Sequence, residues 1–400
     1  MLGLHRPGVV RLLCETVPVN RILPAPTDNT AFIEDVAREG LEAVSGRHTR
    51  STLDLPACDH FAVVLVDGLG SHNLHARSGY ARHLLQADRQ HPHRPLSARL
   101  PTTTAASLTS LATGLAPAQH GIVGYSVYDR DARTVRNQLN GWGPEMPPES
   151  WQPHSTLFEQ ASGVDVEAFA IGPADYEHSG FSAATLRGAR YVAADDLEDR
   201  FAALADIRRH AKRSLVQVYV PELDKIGHRR GWGSPRWSEM LEQIDAVTAD
   251  ARLERRGWST VLTGDHGMLD IDGADHVLLT EWSGSESILA TAGEPRCVQL
   301  VLTDEADHPA AALDLQRHLD DVAGTGEFVT CTRAELCDSG LLGPSVDATA
   351  RHRLGDVAAI ALGDHAAIYR GLPADEASRR MVGQHGGFSR WEREVPLIRW

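Results

Sequence analysis

Apolar runs in this sequence repeatedly end on acids and imidazoles. "VVLVDG" delivers Asp67, "VYVPELDKIGH" delivers Asp224 and His228, "VLTGDHG" delivers Asp265 and His266, and near the end "MVGQHGG" delivers His385. Such side chains serve as metal ligands or as proton carriers. A second feature is "RLPTTTAASLTSLATGLAPAQHG", residues 99–121, which sets Thr102, Thr103 and Thr104 at the mouth of a short helix that Gly114 is placed to close. An N-cap needs one hydroxyl, not three. One of the three is therefore a candidate nucleophile, held where helix N–H groups and the macrodipole favour an anion.

The ligand types fit zinc, which takes four donors from His nitrogen, Asp oxygen and Cys sulfur and leaves a position open in catalytic sites. Asp224, His228 and His385 make one such set. Asp67, Asp265, His266 and a threonine oxygen make a second. Two zinc ions carry +4 against −3 from the three aspartates, so the site is formally +1. Coordination would also lower the pKa of a threonine hydroxyl, and paired metals about 3.5–4 Å apart stabilise the entering and leaving oxygens of an in-line displacement. Each fragment also has a structural reading: Asp-Gly favours turns, and "DKIGH" fits a surface loop. "GDHG" is sharper, because an acid and an imidazole between two glycines have little packing purpose.

If these residues are to meet, a scaffold must bring its strand ends to one edge. "HFAVVLVDGLG" (60–70), "VEAFAIG" (166–172), "SLVQVYV" (214–220) and "WSTVLTG" (258–264) read as strands buried on both faces, with helical patterns between them. Strands alternating with helices predict an α/β fold, a doubly wound and mostly parallel sheet with helices on both faces. In such sheets the carboxyl ends of the strands line the ligand crevice. Residues 1–55 read as an extended arm followed by the amphipathic helix in "AFIEDVAREGLEAVSG", and 56–290 as the catalytic core. Shorter elements over 291–370 suggest a small inserted α+β lobe, and 371–400 form a last core segment carrying His385. "HGIVGYSVYDRDARTVRNQLNGW" (120–142) reads as a hairpin at the rim beside the threonines.

Composition narrows the function. At 42% hydrophobic residues the 400-residue chain is globular, and no apolar run approaches bilayer length. The opening twenty residues are too short and Pro-interrupted for a signal peptide, so a cytoplasmic location is expected. Cys14, Cys58, Cys297, Cys331 and Cys337 are scattered, with no C-x-x-C, and indicate neither disulfides nor a thiolate cluster. The net charge of −15 argues against bulk nucleic-acid binding, and a small phosphorylated substrate must be attracted locally. No P-loop, H-E-x-x-H or G-x-S-x-G is present.

The order "VDG", "PTTTAASLTSLATGLAPAQHGI", "DKIGH", "GDHGM", "GQHG" resembles the alkaline phosphatase superfamily, in particular its type I phosphodiesterase/nucleotide pyrophosphatase branch. The resemblance spans about residues 60–390. Laying the pattern P-T-x-T-F-P-N-H-x-x-L-x-T-G-x-x-P-x-x-H-G-I on Pro101 to Ile122 implies Thr104 as the nucleophile. It implies Asp224, His228 and His385 around one zinc, and Asp67, Asp265 and His266 around the other with Thr104. Ala105 stands where nucleotide pyrophosphatases have a base-stacking aromatic residue, and Tyr125 where they have a phosphoryl-binding Asn. The implied activity is phosphate-ester hydrolysis through a phospho-threonine. Phosphomonoesterase and phosphonate hydrolase activities are the related alternatives, a non-catalytic metal or phosphate binder is the alternative of another class, and manganese or iron are the alternative metals. Sulfatases need a C-x-P-x-R setting that is missing, and the mutase relatives use serine.

Overall fold

The apolar run at 60–66 forms the strand His60–Val66, every residue of which is buried. In the computed structural model, which describes residues 23–24, 30–47, 52–251, 253 and 256–400, this strand lies inside a six-stranded sheet. Most of the expected N-terminal arm, Cys14 included, lies outside the described residues. The strand order is Ile398–Arg399, Trp258–Thr263, His60–Val66, Ser214–Val220, Glu167–Gly172 and Arg190–Ala193. All neighbours pair in parallel except Ile398–Arg399, which runs antiparallel to Trp258–Thr263. The four strands read from apolar runs thus form the middle of the sheet.

Burial on both faces follows from the side-chain alternation of a strand. Phe61, Val63 and Leu65 pack on the helices Ile33–Ser45, Thr104–Thr113 and Leu157–Ser162. Ala62, Val64 and Val66 pack on Arg82–Gln90, Leu197–His210 and Pro235–Asp250. Each large apolar side chain buried this way contributes about 1.5–3 kcal/mol. The helix Ile33–Ser45 follows the expected amphipathic pattern, burying Ile33, Val36, Ala37, Leu41 and Val44 and ending at Gly46 in the left-handed conformation, φ 71°.

A second, antiparallel sheet has the order Ile288–Glu294, Cys297–Leu302, Val357–Ala361, Phe328–Thr332. One face buries Val298, Leu300 and Ala359 under the helix His308–Ala323. The other packs Cys297, Val329 and Ile360 on Leu100, Ala118, Val123 and Val127, next to the hairpin Ser126–Asp129/Thr134–Asn137. The hairpin expected at 120–142 thus forms, and it packs against the strand Ile288–Glu294 of the antiparallel sheet.

Two strands of the six-stranded sheet were not legible in the sequence. Arg190–Ala193 is an edge strand with mixed exposure, so no apolar run marks it. Ile398–Arg399 is only two residues long and gains its place from pairing with Leu262 and Val261.

The lobe is tied to the segment after His385 by a buried ion pair. Arg296, fully buried, donates from Nε to Glu392 Oε1 at 2.8 Å and from Nη2 to Oε2 at 3.0 Å, and its other donors reach the carbonyls of Gly363 and Ala366. Glu392 also accepts the Gly387 N–H at 2.8 Å and the Ser389 hydroxyl at 2.6 Å. Removing one member strands a charge in a low-dielectric interior. Arg296→Met is expected to lower unfolding stability by about 3–5 kcal/mol in a urea titration; a loss under about 1 kcal/mol would show that the pair is replaceable.

Candidate two-metal site

Three neighbouring strands deliver the site. Asp67 follows His60–Val66, and its N–H continues the parallel ladder to the Val220 carbonyl at 3.0 Å. Gly68 then turns at φ +74°, and a Cβ there would stand 3.2 Å from the Asp224 backbone, so a glycine is needed both for conformation and for space. Strand Ser214–Val220 feeds the helix Glu222–Arg230, on which Asp224 and His228 sit at i and i+4 and so share a face. "DKIGH" is thus a helical turn rather than a surface loop. Asp265 and His266 follow Trp258–Thr263, with Asp265 Oδ1 accepting the N–H groups of Gly68 and His266, each at 3.0 Å. His385 lies after Gly383–Gln384, which pairs with Leu269–Asp270, and before Gly386, which pairs with Thr102.

These six residues and Thr104 converge. His228 Nε2 lies 3.3 Å from Asp224 Oδ1 and 3.3 Å from His385 Nε2, and His385 Nε2 lies 4.0 Å from Asp224 Oδ1. In the second group His266 Nε2 lies 3.6 Å from Asp67 Oδ1, 3.4 Å from Asp265 Oδ2 and 3.2 Å from Thr104 Oγ1. Thr104 Oγ1 is 3.5 Å from Asp67 Oδ1. The two groups abut through the stacked rings of His266 and His385, 3.7 Å between centroids.

The donors are prepared for cations. Each imidazole has Nδ1 facing a backbone carbonyl: His228 faces Gly383 at 2.8 Å, His266 faces Gly267 at 3.1 Å and His385 faces Thr102 at 2.9 Å. That bond puts the proton on Nδ1 and turns the Nε2 lone pair inward. Asp224 Oδ1 and Asp265 Oδ2, one in each group, are buried with no hydrogen-bond partner. Orphaned acceptors of this kind are costly unless a cation meets them. Burial first, then the neighbouring Asp265 and Asp224, drives the Asp67 carboxyl well above the usual carboxylate range. Burial, then His266 and His228, holds His385 well below that of a free imidazole. Two positive charges would relieve the carboxylate repulsion, and neutral imidazoles are the form that ligates. The residues fit a pair of divalent cations. A third group, Glu327 with Asp364 and His365, is already satisfied: Glu327 accepts the N–H of His365 and Ala366 and faces His365 Nδ1 at 2.8 Å.

The threonines divide the work. Thr103 is the N-cap residue of the helix Thr104–Thr113, which Gly114 closes at φ 70°. Thr104 opens that helix with its hydroxyl on the second ligand group. Thr102 latches the His385 loop, donating to the Gly387 carbonyl at 2.8 Å and accepting the Gly386 N–H at 3.1 Å. Ala105 is fully buried in the core and does not face the crevice. Tyr125 is 39% exposed on the loop before the hairpin, and its N–H donates to Glu294 Oε2 at 2.9 Å. Burial pushes the Glu294 carboxyl up to about 8.

Sequence reasoning missed Tyr219, whose hydroxyl donates to Asp67 Oδ2, and Gln217, which lines the same crevice. Their signal was present: within "SLVQVYV" they stand two apart, the only polar-tipped residues after Ser214 on a shared strand face.

Comparison with known proteins agrees with this architecture. The family model for type I phosphodiesterase/nucleotide pyrophosphatase matches residues 61–388. A pyrophosphatase/phosphodiesterase of Schizosaccharomyces pombe that is itself uncharacterised is 25% identical over 218 residues, 52% of this chain and 44% of that protein. Ectonucleotide pyrophosphatase/phosphodiesterase 2 of Saccharomyces cerevisiae is 25% identical over 307 residues, 68% of this chain and 59% of that protein. The matches thus span about half the length of these curated relatives. Among solved structures, murine ectonucleotide pyrophosphatase/phosphodiesterase 5, an inactive threonine-to-alanine variant in complex with AMP, superposes with a TM-score of 0.60 at 15% identity, covering 84% of this chain and 87% of that one. Phosphonoacetate hydrolase from Sinorhizobium meliloti 1021, in complex with phosphonoformate, gives 0.65 at 20% identity, covering 86% and 90%. These likenesses identify the fold as alkaline-phosphatase-like.

The latch on the His385 loop can be tested without reference to chemistry. Thr102→Val keeps the shape and removes both side-chain bonds, which is expected to cost about 1–3 kcal/mol and to speed amide exchange at 383–387. Unchanged exchange at Gly386 would show that the backbone pairing alone holds the loop.

Proposed function

Because this chain belongs to the type I phosphodiesterase/nucleotide pyrophosphatase family, we propose that it is a two-metal phosphoric ester hydrolase acting on a phosphodiester or pyrophosphate bond through a covalent intermediate on Thr104. The observation that carries this reading is the position of Thr104 Oγ1, at a helix N-terminus and 3.2 Å from His266 Nε2 within a ligand group that lacks only a cation.

Asp67, Asp265 and His266, with Thr104, would hold one ion, and Asp224, His228 and His385 the other; neutral imidazoles with carboxylates suit zinc, with manganese or iron as alternatives. Bound there, two divalent cations would supply the positive charge that favours an ionised hydroxyl and offsets the charge on the leaving oxygen. The chain's own part is positional. Thr104 Oγ forms the bond to phosphorus as the ester P–O bond breaks, and its proton ends in solvent while the departing alkoxide takes one up. Water then cleaves the phospho-threonine by attack at phosphorus, so one water is consumed and configuration is retained. N–H groups in the first turn of the helix Thr104–Thr113 have no intrahelical acceptor and face the developing charge. Tyr219 holds Asp67 by its hydroxyl. Tyr125, at the rim, is the substrate-orienting residue of this reading.

The aromatic surface missing at Ala105 is supplied from another segment. Tyr176, Phe181 and Tyr191 line the crevice that Thr104 and Asp67 open on, which supports an aromatic or nucleotide arm on the retained side of the ester. The same reading keeps the enzyme in the cytoplasm, where its four described cysteines, none in a disulfide, stay reduced.

Two measurements test the proposal. With zinc-loaded protein and bis(p-nitrophenyl) phosphate, Thr104→Ala is expected to lose at least about 1,000-fold in kcat while keeping its metal content; turnover within about tenfold of the wild type would remove Thr104 from the nucleophile role. Metal analysis after dialysis should give two ions per chain, falling to one in Asp224→Ala and in Asp265→Ala, since each leaves the other group intact. A wild type that binds two ions and hydrolyses no aryl diester, monoester or phosphonate would instead be a binding protein.

A further inference from the structure

Two cavities meet beside Thr104 and share Thr104, Leu139, Asn140 and Asp224 in their walls. The smaller, about 250 Å³, reaches Asp67 and the aromatic residues named above. The larger, about 590 Å³, is walled by His228 and His385 and by the lobe strands Ile288–Glu294 and Ala367–Tyr369. In an in-line displacement the departing group lies across phosphorus from the attacking oxygen. Thr104 stands with Asp67, Asp265 and His266, so the far side is the group Asp224, His228 and His385, and with it the larger cavity.

That cavity carries polar atoms with nothing to bind. Glu294 Oε1, Thr291 Oγ1, Tyr369 Oη and Arg370 Nη1 are all buried without a hydrogen-bond partner, and Glu294 and Tyr369 are only 7% and 4% exposed. Native proteins leave only a few such atoms per hundred residues, so four gathered in the walls of one cavity call for an explanation. Two of these side chains are anchored by their other atom: Glu294 Oε2 accepts the Tyr125 N–H, and Arg370 Nη2 donates to the Ser285 carbonyl at 3.2 Å. Each is thus fixed in place with one free valence. The nearby Asp375 spends Oδ2 on the N–H groups of Gly371 and Leu372 and forms no ion pair with Arg370 among the described residues. Burial pulls the Arg370 guanidinium below its ordinary pKa, and the nearby Asp375 opposes that pull without closing an ion pair.

We propose that the larger cavity is the leaving-group subsite and that it selects a leaving alcohol bearing an anionic substituent opposite Arg370, with Glu294, Thr291 and Tyr369 reading its hydroxyl or amide groups. The assignment rests on the hydrolase reading for its direction. Arg370 and its neighbours are specificity residues in this scheme and touch no reacting atom.

The test compares phenyl phosphodiesters whose leaving phenol carries a para carboxylate or a para carboxamide. The wild type is expected to favour the carboxylate in kcat/KM by at least about tenfold, and Arg370→Gln to lower that ester about 10- to 100-fold while changing the carboxamide ester and bis(p-nitrophenyl) phosphate less than about threefold. Arg370→Lys should restore part of the preference. Equal hydrolysis of the two esters by the wild type, or an equal loss on both in Arg370→Gln, overturns the subsite. Calorimetric titration with 4-hydroxybenzoate separates the two readings: binding that Arg370→Gln weakens at least about tenfold supports the subsite, and if no ester turns over at the same time, only the hydrolase reading falls.

Discussion

His228, His266 and His385 each commit Nδ1 to a backbone carbonyl, and each carbonyl belongs to a loop that the fold itself positions. The bond fixes ring rotation and tautomer together, so three Nε2 lone pairs are aimed at the space between Asp67, Asp224 and Asp265 before any ion arrives. The approach of His228 Nε2 to His385 Nε2 at 3.3 Å is the sharpest expression of that aim, because two acceptors have no mutual bond to make. The rest of the molecule can be read as the means of keeping these nitrogens and three like-charged carboxylates within a few ångströms of one another.

That means is partly the sheet and partly a set of long-range ties. Parallel pairing of His60–Val66 with both Ser214–Val220 and Trp258–Thr263 brings Asp67, Asp224 and Asp265 to one edge. Gly68 lets the first turn pass close against Asp224. His385 has no such strand and comes from a segment near the end of the chain. It is held by the pairing of Gly383–Gln384 with Leu269–Asp270 on one side and by the bonds of Thr102 to Gly386 and Gly387 on the other. Glu392 then fastens the same segment to the lobe through Arg296. The lobe is therefore coupled to the segment that carries His385 by a buried charge pair.

The legible part of this architecture was the part written in local pattern. Continuous apolar runs marked His60–Val66, Glu167–Gly172, Ser214–Val220 and Trp258–Thr263, because a strand covered on both faces leaves no room for polar alternation. The seven ligand and hydroxyl residues stood at ends of those runs or beside glycines, where packing gives little reason for an acid or an imidazole. What stayed hidden depends on partners distant in sequence. Ile398–Arg399 is a strand only because an edge is there to receive it. Asp224 and His228 were read from a strand end, though their spacing of four is helical and the structure puts both on one helix. Tyr219 and Gln217 were read as strand residues, and only the fold reveals that their common face lines a crevice. Glu294, Thr291, Tyr369 and Arg370 carry no motif at all, since they converge from strands of the lobe and the turn that follows.

The acidic surface gives this arrangement its electrostatic logic. A chain of net charge −15 does not draw an anionic ester from bulk solution, but at physiological ionic strength surface charges act over only about 8 Å. Inside the crevice the balance is set by the nearest groups: three carboxylates against the cations they would hold, the N-terminal turn of Thr104–Thr113, and Arg370. Glu294, with its carboxyl pushed up to about 8, adds little negative charge to the cavity it lines at neutral pH. Burial that would be a liability for an isolated carboxylate here keeps the Glu294 wall close to neutral, so that the field a substrate meets in this cavity is set by the ligand groups, Arg370 and the neighbouring Asp375 rather than by the distant surface.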